Sequence, residues 1–139
     1  MQPSDDKNIA SSATEVQPGQ TLAVVAESLF LLNLVFLPVL GFIILLGLYL
    51  RYKNKAESLA RCHLRQTFNA SIWAGVMLVL VNGLIILLGG YHSPYVWIIV
   101  ILYLTSIHSA FIMFGTFGLT RAMNGKHYHY PIIGRKCLG

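Results

Sequence analysis

Residues 66–120 read QTFNASIWAGVMLVLVNGLIILLGGYHSPYVWIIVILYLTSIHSAFIMFGTFGLT and contain no Asp, Glu, Lys or Arg. A helix that crosses a bilayer needs about 20 predominantly apolar residues, so this stretch is long enough for two. The segment GGYHSPY at 89–95 divides it, because paired glycines, a serine and a proline mark a turn between helices. Residues 28–50 form another uncharged run. Three spans are therefore predicted, at about 26–50, 68–90 and 95–120. Helix is the expected conformation, since lipid offers the backbone no hydrogen-bond partners and the sequence lacks the alternation of a closed barrel.

The whole composition agrees: 55% of the 139 residues are hydrophobic and only 11% charged, against about a quarter charged in soluble domains. The expected fold class is an all-α membrane protein with three transmembrane helices. Its membrane domain covers 24–139 and ends in an interfacial C-terminal tail. Residues 1–23, rich in Ser, Gln, Pro and acidic groups, are predicted to be a disordered polar tail. They do not form a signal peptide, because no basic segment abuts the apolar run.

Charge sets the expected orientation. Arg51, Lys53, Lys55, Arg61 and Arg65 follow the first span, Arg121, Lys126, Arg135 and Lys136 follow the third, and the 89–95 turn has no basic residue. Basic segments are retained in the cytoplasm during insertion. The prediction is an N-terminus outside, a cytoplasmic C-terminus and a multi-pass place in the bacterial inner membrane. The basic segments then meet anionic lipid headgroups, and membrane lipids rather than nucleic acid are the expected partners. Tyr49, Tyr52 and Trp73 would mark one interface, and Tyr91, Tyr95 and Trp97 the other.

Between the first two spans, Asn54 and Glu57 have the spacing of a helix cap and Glu57 with Arg61 that of an ion pair. Further along, His63, Arg65, Gln66 and Asn69 occur in HLRQTFN, and Ala122, Asn124, Gly125, Tyr128, Tyr130 and Pro131 occur in AMNGKHYHYP. These two motifs resemble the signatures of a bacterial family of small membrane proteins related to the twenty-kilodalton Tic component of the chloroplast inner-envelope import machinery. The resemblance covers about residues 24–133. It implies a three-helix membrane module and, for the chloroplast relatives, a part in protein translocation.

Polar groups inside spans are costly and turn toward other helices, which singles out Asn33, Asn82 and His108. Counted from Leu50, Gln66 and Arg121 at about 1.5 Å per residue, they lie roughly 25, 24 and 20 Å along their helices and would share one layer. Interhelical hydrogen bonding is the preferred reading of this cluster; a proton relay or permeation path is the other. A haem site would need a second histidine at the depth of His108. Cys62, His63, His127 and His129 have ligand chemistry but match no zinc template, so no metal or cofactor is expected. The two cysteines, Cys62 and Cys137, are not expected to form a disulfide in the cytoplasm.

Gly125 is placed to end the last helix in a left-handed cap, and Pro131 keeps it from resuming. Tyr128 and Tyr130 would then anchor the headgroup layer. The tail is expected to dock on the polar ridge of the second helix, where His63, Arg65, Gln66 and Asn69 satisfy its open backbone groups. No nucleophile and base can be assembled, so the function expected is non-catalytic: an accessory or scaffold subunit of a larger membrane complex. The alternatives are a translocation or permeation module and a haem- or metal-binding redox subunit.

Overall fold

The computed structural model describes residues 16–36, 38–132 and 134, and within them the regular structure is helical. Four helices follow one another: α1 (Gln20–Val35), α2 (Leu40–Tyr52), α3 (Ser58–Gly89) and α4 (Pro94–Met123). Helix α3 contains one π-helical turn, Val76–Leu80. Most of the segment expected as a polar N-terminal tail lies outside the described residues, but its last four positions already belong to α1.

The two long helices, of 32 and 30 residues, are long and apolar enough to cross a membrane. At about 1.5 Å per residue each exceeds the roughly 30 Å hydrocarbon core. Their apolar side chains mostly face outward: Val79, Leu80, Leu87, Leu88, Ile101 and Leu102 are all exposed. A water-soluble bundle would bury such residues, whereas lipid solvates them.

The expected first span is divided. Residues around Pro38 interrupt it, and α2 folds back along α1 as a hairpin. Asn33 lies against Gly41 near the turn, and Ala26 shares a buried cluster with Leu45 that Tyr49 and Tyr52 flank. A Cβ on Gly41 would stand 2.7 Å from that of Asn33, so the helices approach this closely only because position 41 has no side chain. At 16 and 13 residues, α1 and α2 measure about 24 and 20 Å, each shorter than the hydrocarbon core. A proline inside a helix removes one backbone donor and need only kink it; here the chain reverses.

This reversal changes which ends meet. The Gln20 amide donates to the Met123 carbonyl at 2.6 Å, and Gly19 packs against Glu57 and Ala60. The start of α1, the start of α3 and the end of α4 therefore share one end of the bundle, which we call the closed end. The expectation of termini on opposite sides assumed three crossings. Two long helices and a hairpin bring the described chain ends together instead.

Local signals at this end also differ from the sequence reading. Helix α3 starts at Ser58, with Glu57 as its cap residue and no side-chain cap bond. Arg61 donates to the Ala56 carbonyl at 2.8 Å rather than pairing with Glu57. Further along, Phe68 stacks on Tyr49 with centroids 4.4 Å apart, so the inner aromatic residues pack α2 onto α3. The core lies under α1, where Phe30, Leu34, Ala70, Ala74, Phe111 and Tyr130 cluster.

A buried Glu–His–Tyr clamp as the candidate functional site

Helix α4 stops at Asn124. Gly125 takes φ +63°, its N–H bonds to the Ala122 carbonyl at 3.0 Å, and the Lys126 N–H bonds to the Arg121 carbonyl at 2.9 Å. This pair of bonds is a Schellman motif, which satisfies two carbonyls that the ended helix leaves open. From there residues 126–130, without regular secondary structure, pass over α3.

Three helical or tail positions converge beneath that segment. Glu27 of α1 and His63 of α3 are both fully buried, and Tyr130 of the tail is 3% exposed. His63 Nδ1 lies 2.7 Å from Glu27 Oε1, His63 Nε2 lies 3.0 Å from the Lys126 carbonyl, and the Tyr130 hydroxyl donates to Glu27 Oε2 at 2.7 Å. A carbonyl only accepts, so Nε2 carries a proton. One further proton is shared between Nδ1 and Oε1. Each arrangement of that proton leaves the Glu27–His63 pair neutral overall, which is how an acidic group is accommodated where no water reaches it.

Gln66, one turn beyond His63, extends the clamp. Its amide nitrogen donates to the Tyr128 carbonyl and approaches His129 Nδ1 at 3.1 Å; its oxygen accepts the Tyr130 N–H at 2.9 Å. Gly118 of α4 forms the floor: a Cβ there would sit 2.6 Å from Glu27 Oε2. Tyr130 also meets Phe30 edge-on at 5.9 Å and Tyr128 at 5.1 Å. Burial, and then the neighbouring Glu27 carboxylate, push the Tyr130 hydroxyl pKa well above the usual tyrosine value.

Of the residues expected to dock the tail, His63 and Gln66 meet it, and Gly125, Tyr128 and Tyr130 lie in it. Arg65 points to solvent and lines a separate small pocket beside Tyr49 and Phe68; Asn69 borders that pocket and also one shared with Pro131 and Ile132 of the tail. The helical rotation of about 100° per residue explains the split, since 63 and 66 share a face that 65 leaves. Tyr130 does not anchor a headgroup layer, because it points into the bundle core. Pro131 is exposed and leads into a turn.

Glu27 was missed. In TLAVVAESLF it is the lone acid among apolar residues, just before the uncharged run of 28–50 and inside the span predicted at about 26–50. The usable signal is that an isolated ionisable residue within an apolar helix normally has a partner.

The mid-bundle cluster is also rearranged. Asn33 and His108 line one cavity, but Asn82 does not, and bonds instead to the Leu78 carbonyl at 2.7 Å. Helix α3 begins eight residues before the assumed boundary, so Asn82 lies about 36 Å from the closed end, well past the others at about 20 Å. Ser71 takes the place expected for Asn82. Among the described residues, no three His, Cys, Asp or Glu side chains are placed to hold a metal ion. Cys62, for which no disulfide is expected from the sequence, is disulfide-bonded.

A chain whose described regular structure is all helical, with long apolar helices that face outward and a buried polar clamp at one end, is a small membrane protein. More specifically, residues 19–137 match the MamF/MmsF family, the magnetosome magnetite crystal formation proteins, and the chain belongs to that family. This corrects the resemblance to the Tic-related family, because both motifs that suggested it fall inside the matched segment. No curated protein and no solved structure matches the chain.

Proposed function

We propose that this protein is a non-catalytic accessory protein of magnetite crystal formation, held in the membrane by α3 and α4 with the α1–α2 hairpin inserted part-way. The observation that carries this reading is the family match, which spans both long helices and the clamped tail. The clamp supports a structural role, since its polar atoms are spent on one another and on backbone carbonyls. It holds the tail down and leaves Arg51, Lys55, Arg61, Arg121 and Lys126 exposed at or near the closed end. That basic surface fits anionic lipid headgroups and the acidic face of a larger membrane complex. By the retention of basic segments, the closed end faces the cytoplasm.

The functional test is a strain lacking the protein, complemented with the wild type. Loss of normal magnetite crystals, restored by complementation, is expected. Crystals of unchanged number, size and shape without the protein would sink the proposal.

One observation favours the opposite orientation. Cys62 is disulfide-bonded at the closed end, and disulfides persist mainly in oxidising compartments. Fluorescent-protein and alkaline-phosphatase fusions after Lys126 separate the two readings. Cytoplasmic fluorescence supports the first, and phosphatase activity supports the second.

A further inference from the structure

A second polar site lies away from the clamp. Between the hairpin, the middle of α3 and the middle of α4 is a cavity of about 710 Å³, lined by apolar groups and by Asn33, Ser71 and His108. Small-molecule sites usually occupy roughly 300–1,000 Å³, with a few polar groups set in apolar walls. Asn33 and Ser71 are 7% and 4% exposed, yet Asn33 Oδ1 and Ser71 Oγ have no hydrogen-bond partner.

Ser71 departs from a local habit of this chain. Thr67, Thr105, Ser106, Thr116 and Thr120 each donate to the carbonyl four residues back, at 2.7–2.9 Å. A helical hydroxyl in an apolar setting normally finds that acceptor. Ser71 is equally helical and borders the cavity, but its hydroxyl has no partner. The π-helical turn, a feature frequent at functional sites, forms part of the wall through Val76, Leu78, Val79 and Leu80.

The geometry points to a binding site for an apolar amphiphile that carries a hydroxyl group. Asn33 Oδ1 can only accept, so the ligand must offer a donor; Ser71 can donate or accept, as can neutral His108. A hydroxyl supplies both roles, and the apolar walls suit a hydrocarbon body. A bare hydrocarbon would leave both oxygens unpaired, and an ion would lack any charged ligand among the lining residues.

The probe is a diazirine-bearing long-chain alcohol, photolysed with the purified full chain in lipid nanodiscs and located by mass spectrometry. Adducts are expected at 71–80 and 33–42, displaced by excess hexadecanol but not by hexadecane. Ser71→Ala and Asn33→Leu should each lower labelling about three- to ten-fold, the equivalent of one lost hydrogen bond. Helical content and size-exclusion profile identify a misfolded variant, and Ser71→Ala, the milder change, then decides alone. Labelling spread along the exposed face of α4, or equal with a diazirine-bearing alkane, would overturn the site. So would labelling that vanishes when the protein dimerises, since a second copy would then fill the groove.

Discussion

The closed end and the mid-bundle cavity use similar side chains in opposite ways. At the closed end, every polar atom of Glu27 and His63 meets a partner, and the carboxylate oxygens are bonded separately, one to His63 and one to Tyr130. Beside the cavity, two buried oxygens have no partner. Both regions lie among apolar helices, so hydrophobicity does not tell them apart. Satisfaction does: a complete polar network defines one arrangement of the chain, whereas an incomplete one is a cost to the free protein that a ligand can relieve.

That contrast breaks most easily at His63. His63→Ala strands the Glu27 carboxylate in the core with Tyr130 as its remaining side-chain partner, and removing one member of a buried pair costs about 3–5 kcal/mol. Denaturant titration in detergent should show this loss, with protease cutting after Lys126 at concentrations that leave the wild type intact. A stability within error of wild type would mean the clamp is not a fastener. Gly118→Ala attacks the same point from α4 and should cost about 1–3 kcal/mol, because its methyl group would press on a carboxylate held on both sides.

Tyr130→Phe keeps the ring in the core and removes one bond, for an expected loss of about 1–2 kcal/mol. It also carries a pH signature. The raised pKa of Tyr130 means that the fold favours the protonated phenol. Its contribution is whole below the unfolded tyrosine value near about 10 and is lost as pH rises through the folded value. Wild type should therefore weaken in alkali more steeply than Tyr130→Phe, and parallel stability–pH curves would contradict the assignment. The smallest change is expected at the cavity, where Ser71→Ala should leave stability unchanged or raise it by up to about 1 kcal/mol. A clear loss there would show that the hydroxyl is already satisfied.

The sequence discloses some of this plainly. Uncharged runs mark the apolar helices, and Gly89, Gly90 and Pro94 mark the turn between α3 and α4, because lipid tolerates few charges and turns need special residues. Gly125 likewise predicts its own left-handed backbone. The hairpin was hidden, since VFLPVLGF fits a kink as well as a reversal when the summed length of the run suits one crossing. What decides is the packing of Gly41 on Asn33, a contact that no local pattern encodes. The clamp was half visible: the two motifs pointed at each other, but Glu27, from a third element, supplies the group that both bind.

The contact between Tyr130 and Glu27 joins positions 103 residues apart, and this separation orders events during synthesis. Glu27 leaves the ribosome early, and His63 follows after one helical hairpin. The tyrosine that completes the site emerges only when α4 has been made. Until then the acid must reside at the water's edge or share its proton with His63, so the hairpin can settle loosely but not lock. The last residues of the described chain thus act as a check on its completion: a protein truncated before Tyr130 would keep its membrane helices while leaving the buried Glu27 incompletely paired, a state that quality-control proteases are equipped to find.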